Sequence, residues 1–90
     1  MLSFLPKNSF EIQNDLRNNF KERRKALKIT QKDLALKSDV SLGSIKRFEQ
    51  HGQISLESLL KIAFVLECLD DFEAICTKKE LMPRSIEELL

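Results

Sequence analysis

The sequence predicts an all-α fold of five helices in one small domain, and three observations predict it. Apolar residues recur at three- and four-residue spacing almost throughout, and no alternating apolar–polar run of strand type is present. Only two glycines and two prolines occur in 90 residues, too few turn formers for many short strands. A capping Asn, Ser, Thr or Asp stands ahead of each periodic segment.

Ile12, Leu16 and Phe20 form an i, i+4 row that Leu27 continues, which predicts a long helix over 9–27. Asn8 or Ser9 caps it, and Glu11 stands three residues after Asn8, as a capping box requires. Thr30 opens a short helix over 31–37 with Leu34 and Ala35 inward. Its hydroxyl can accept the Asp33 N–H, while the Asp33 carboxylate favours the helix N-terminus. Ser38, Asp39 and Val40 break this helix. Ser41 caps a third, 42–50, with Ile45 and Phe48 on its apolar side, and Gly52 suits a left-handed stop. Ser55 caps a fourth, 56–67, with a stripe of Leu56, Leu59, Leu60, Ala63 and Leu66. Asp70 caps a short fifth, 71–77, carrying Phe72 and Ile75. Beyond Lys78 the pattern weakens, Pro83 interrupts it, and Ser85 with Glu88 reads as a capping box for a last turn ending at Leu90. The predicted organisation is one domain over 9–77 and a tail over 78–90, the tail serving as a dimer or partner contact.

Composition narrows the function classes. A chain this short buries roughly 60–65% of its unfolded surface, enough for one core and little more. Cys68 and Cys76 lie eight apart without C-x-x-C spacing, and His51 is the only histidine. Three scattered candidates do not make a zinc site, and no paired acids or glycine-rich turn suggest catalysis, so neither a metal, a cofactor nor an enzyme is expected. Residues 1–7 lack a basic leader segment and no apolar run is long enough to span a bilayer, so the expected location is the cytoplasm, with no membrane partner.

The two short helices 31–37 and 42–50, joined by about four residues, must cross steeply, as in a helix-turn-helix. Small Ala35 faces the turn and Val40 plugs it, so the second helix stands proud, and B-DNA's major groove is wide enough to admit it. Ser41, Leu42, Gly43, Ser44, Lys46 and Arg47 lie on or beside its side away from Ile45 and Phe48. Arg47 can donate bidentately to guanine, Ser41 and Ser44 can hydrogen-bond phosphate or base edges, and Leu42 can touch a thymine methyl. Gly43 lets the backbone approach closely. Gln31, in the first turn of the preceding helix, can offer its amide and its backbone N–H to a phosphate. On residue types alone, this face is equally an ordinary solvated helix surface with capping serines.

The wider pattern resembles the phage-repressor-like Xre/Cro helix-turn-helix family. It is carried by Thr30-Gln31, Ala35, Val40, Ser44-Ile45, Phe48-Glu49 and the Leu56 to Leu60 stretch, and covers roughly residues 16–69. The resemblance implies a five-helix, lambda-repressor-like DNA-binding fold with the motif at helices two and three. It puts Gln31, Leu42, Gly43 and Arg47 where the family contacts DNA, with Ser41, Ser44 and Lys46 close by. It also places Arg24 and Glu49 where the family often has an arginine–glutamate bridge between the first and third helices. The sequence departs from the pattern at Asp39, where glycine is usual, and at Leu42-Gly43, where polar base readers are common. Asp tolerates the left-handed conformation that a turn glycine serves.

The net charge of +1 suggests no nucleic-acid partner until it is divided along the chain. Residues 16–52 carry ten Lys/Arg against four acids, whereas residues 53–90 carry four against eight. A basic motif half beside an acidic half fits one face meeting phosphate. The expected function is a sequence-specific transcriptional regulator, a homodimeric repressor of double-stranded DNA, because one short helix reads too few base pairs alone. Leu66, Leu69, Phe72 and the Leu89-Leu90 end are the expected dimer surface. The alternative is an antitoxin, resembling the HipB type, whose tail holds a kinase-like toxin protein while the motif represses its own operon.

Overall fold

In the computed structural model, which describes residues 6–77, four α-helices begin where a side chain three residues upstream accepts a backbone N–H. Helix α1 (Ser9–Ala26) starts on a reciprocal capping box. Asn8 Oδ1 accepts from the Glu11 N–H at 2.8 Å, and the Asn8 N–H donates to Glu11 Oε1 at 3.1 Å. Helix α2 (Gln31–Ser38) starts with Thr30 Oγ1 accepting from Asp33 at 3.0 Å. Helix α3 (Leu42–His51) starts with Ser41 Oγ accepting from Ser44 at 3.1 Å, and α4 (Leu56–Val65) with Ser55 Oγ accepting from Ser58 at 3.1 Å. Two of these helices stop on left-handed residues, Asp39 at φ 62° and Gly52 at φ 75°.

The fifth element is a 3-10 helix, Leu69–Ala74, and not an α-helix over 71–77. Asp70 does not cap it. The chain leaves α4 through left-handed Glu67, the turn begins at Leu69, and no side chain caps its start, so Asp70 falls inside the first turn. Six residues form too few hydrogen bonds to offset α-helix nucleation, and the segment is held by packing Phe72 on Phe20, ring centroids 6.3 Å apart. The described residues are thus all helical, in five segments and without a strand. The turn expected at 86–90, like the whole 78–90 tail, lies outside the described residues.

The core comprises Phe20, Leu34, Val40, Ile45, Phe48, Ile62, Ala63 and Leu66. Phe20 meets Phe48 edge-on at 5.6 Å and ties α1 to α3, while α2 packs against both α3 and α4. Four apolar residues assigned to inward stripes are exposed instead: Ile12, Leu27, Leu56 and Ile75. Ile12 and Leu56 stand in the first turns of α1 and α4, and Leu27 and Ile75 follow the last residues of their elements. On α4 the buried row runs through Ile62, Ala63 and Leu66, with Leu59 half-buried, so Ile62 takes the place expected of Leu56.

Polar side chains of α1 close the ends of the other helices. Gln13 Nε2 donates to the Gly52 carbonyl at 2.6 Å, and Arg17 Nη1 to the Glu49 carbonyl at 3.0 Å, at the C-terminus of α3. Arg23 donates through Nε to the Leu66 carbonyl and through Nη2 to the Glu67 carbonyl at 3.0 Å, at the C-terminus of α4. The last carbonyls of a helix lack intrahelical partners and carry partial negative charge, so cationic donors stabilise them.

Candidate nucleic-acid interface

The turn between α2 and α3 is three residues long and tied at both ends. Ser38 Oγ donates to the Leu34 carbonyl at 2.6 Å and accepts from the Val40 N–H at 3.3 Å. Asp39 reverses the chain in the left-handed conformation, and Val40 is buried beneath it. Ile45, Phe48 and Glu49 then face the interior, which rotates the opposite side of α3 outward.

Ser41, Gly43, Ser44, Lys46, Arg47 and Gln50 border one shallow groove along that outward side. Ser41 Oγ donates to Ser44 Oγ at 2.8 Å while accepting the Ser44 N–H, so the Ser44 hydroxyl proton is left for a ligand. A Cβ added at Gly43 would meet no atom within 4 Å, leaving the backbone there open to close approach. Leu42 is half-buried and Lys46 exposed. Arg47 Nε donates to Gln53 Oε1 at 3.1 Å, which orients the guanidinium and leaves both terminal nitrogens free.

His51 and Gln53 complete the groove, and neither they nor Gln50 is among the interface residues expected from sequence. The signal for Gln50 was its i+3 relation to Arg47. For Gln53 it was Gly52, whose left-handed turn folds the chain back beside α3.

Gln31 is half-buried at the start of α2, and its Nε2 donates to Glu49 Oε1 at 2.9 Å. Its amide is therefore partly engaged inside the domain, with one N–H and the backbone N–H of the first turn remaining. Behind it, Arg24 Nε donates to Glu49 Oε2 at 2.7 Å and Arg24 Nη2 to Glu49 Oε1 at 3.0 Å, a bidentate pair with both residues buried. Arg24 Nη1 also donates to the Ile29 carbonyl at 2.8 Å, so one side chain fixes α1, the loop before α2, and α3. Burial alone would raise the Glu49 carboxyl. The hydrogen bonds from Arg24 and Gln31, with the charges of Arg24 and Lys21, outweigh it and hold the group below its ordinary range.

This network narrows the charge argument. Arg17, Arg23 and Arg24, three of the ten cations in residues 16–52, are engaged with helix ends and Glu49, and Lys37 borders α4. Lys46 and Arg47 are the cations that border the groove along α3. Among the described residues no cluster of acids, His and Cys has metal-binding geometry, and no helix is long and apolar enough to cross a membrane.

A helix-turn-helix family model matches residues 20–68, which run from the second half of α1 to the turn after α4. No curated protein and no solved structure matches the chain.

Proposed function

Because the chain belongs to the phage-repressor-like helix-turn-helix family of DNA-binding domains, we propose that it is a sequence-specific transcriptional repressor that reads double-stranded DNA as a homodimer. The observation that carries this reading is the groove along α3, where Ser44, Lys46 and Arg47 present donors from a helix held at a fixed angle by the Arg24–Glu49 pair.

Arg47 is the base reader. With Nε engaged by Gln53, its terminal nitrogens form the fork that suits guanine O6 and N7. Lys46 neutralises phosphate, Ser41 and Ser44 bond phosphate or base edges, and Leu42 meets a thymine methyl. Gly43 admits the DNA backbone closely, and Gln31 gives its remaining amide proton and backbone N–H to a phosphate. With few side chains reading bases, DNA shape contributes to specificity.

Sites selected from random duplex DNA at two salt concentrations test this. The expected result is one enriched motif, two half-sites about 10 bp apart or a multiple of that, with affinity falling as salt rises. Recovery of no motif above the input pool refutes sequence-specific reading. The antitoxin alternative rests on residues 78–90, outside the described residues. A stoichiometric protein retained by the full chain in a pull-down would favour it.

A further inference from the structure

The core side of α4 is closed, but its other side carries Phe64, which is 70% exposed, next to Leu69 at 37%. Phe64 stands between two open grooves, and Leu60, Phe64, Val65 and Leu69 line both of them. The rims of the two grooves differ in sign. One carries Lys37 and Lys61 with a single acid, Glu57, and is net basic, while the other carries only acids, Glu67, Asp70 and Glu73. Lys61 has only an exposed i, i+4 contact with Glu57 at 3.4 Å, which is worth little in water. Among the described residues, none of the three acids on the opposite rim is ion-paired.

We propose that this ridge is the contact between two copies of the chain, related by a two-fold axis that lies in the interface and runs between the two rims. Such an axis exchanges left for right. It therefore lays the Lys37–Lys61 rim of one copy on the Glu67–Asp70–Glu73 rim of the other, twice, and sets the two Phe64 rings together at the centre. An apolar ridge with one basic and one acidic rim is complementary to itself, which is what an isologous contact demands. A copy of the same chain is the occupant that satisfies both rims without a second surface.

The surface differs from the one expected from sequence. Leu66 is fully buried in the core and so not available for association, whereas Leu69 lines both grooves and Phe72, half-buried against Phe20, lines only the acidic one. No residue of α3 borders either groove, so the contact leaves the reading face open. Four apolar side chains make a centre smaller than the roughly 800 Å² per partner of a standard interface. The free dimer is accordingly weak, and two half-sites on one DNA strengthen it by raising the effective concentration.

This inference rests on the homodimeric reading and names its surface, and the test separates the two. Sedimentation equilibrium of the full chain is measured from micromolar to millimolar concentration for five samples. These are the wild type, Phe64→Glu, the pair Lys37→Glu with Lys61→Glu, the triple Glu67→Lys, Asp70→Lys, Glu73→Lys, and an equimolar mixture of the last two. All the substituted residues are on the surface, and circular dichroism verifies that each variant stays folded. The wild type should dimerise, and each variant alone should associate at least about tenfold more weakly through like-charge contact or loss of the centre. The mixture should return to wild-type strength, because in the mixed dimer both rims are again of opposite sign. Unchanged dimerisation of Phe64→Glu and both reversals overturns this face while leaving the homodimer standing. Weakening without rescue in the mixture overturns the two-fold register. A wild type that stays monomeric throughout, alone and on DNA with two half-sites, refutes the homodimer itself.

Discussion

Glu49→Ala tests the network behind the reading helix most directly. The substitution removes both carboxylate oxygens that Arg24 engages at 2.7 and 3.0 Å, and the oxygen that accepts from Gln31 at 2.9 Å. Arg24, 9% exposed, keeps only its bond to the Ile29 carbonyl and remains a buried charge without a counter-ion. Stranding one partner of such a pair costs about 3–5 kcal/mol. A domain of this length has a total stability of only about 4–13 kcal/mol, so the variant should be marginal or unfolded at 37 °C. Urea unfolding followed by circular dichroism should show the midpoint lowered by about 3–5 M if the slope is near 1 kcal/mol per M. The pair Arg24→Met with Glu49→Leu removes both charges and fills similar volume, so it should lie within about 2 kcal/mol of wild type. Acid provides a second readout. A carboxyl held below its ordinary value of 4.5 contributes stability that is fully present above that pH and is lost as pH falls through the folded-state value. Wild type should therefore lose more stability between pH 5 and 3 than Glu49→Gln does. A Glu49→Ala cost below about 1 kcal/mol would refute the reasoning, as would a double variant whose loss equals the sum of the single ones.

The two glycines should respond oppositely. Gly52→Ala places a Cβ at φ 75° and 3.2 Å from Gln13 Cγ, so it should destabilise by about 1–2 kcal/mol and lower Tm by several degrees in calorimetry. Gly43→Ala meets open space within a helix and should raise stability by up to about 1 kcal/mol. The same methyl stands on the groove, so binding to the selected DNA site should weaken in a fluorescence anisotropy titration. Arg47→Ala should cost about 1–3 kcal/mol at one base position of that site and relax the preference there. Lys46→Ala should weaken all sequences alike and reduce the salt slope by about one. Equal losses for Arg47→Ala on selected and random DNA would count against Arg47 as the base reader.

The helix starts were legible because capping acts over three residues. Asn8, Thr30, Ser41 and Ser55 each accept from a backbone N–H that the chain itself brings within reach, whatever the rest of the fold does. Asp39 and Gly52 were legible as stops for the same reason, since left-handed backbone favours few residue types. The outward side of α3 followed from helical periodicity once Ile45 and Phe48 were placed inward. The fifth element was misread because a favourable capping residue, Asp70, does not decide between an α-helix and a 3-10 turn when only six residues are held by one aromatic contact. The apolar stripe on α4 was legible through Leu59, Leu60, Ala63 and Leu66, and only its first member, Leu56, is exposed while Ile62 joins the core.

By itself, then, the sequence determined the four α-helices, the side chains that cap their starts, and which side of α3 faces outward. All of these are interactions between residues a few positions apart. Only the tertiary structure decided what the charges do. Arg17, Arg23 and Gln31 look like free polar groups in one dimension, yet they end at carbonyls or carboxylates 18 to 44 residues away. It also decided that Phe64 is more exposed than Phe72, because Phe20 in α1 packs on Phe72 and leaves Phe64 open. Such contacts depend on the relative placement of whole helices, and that placement is set by packing of the shared core rather than by the local preferences of any one segment.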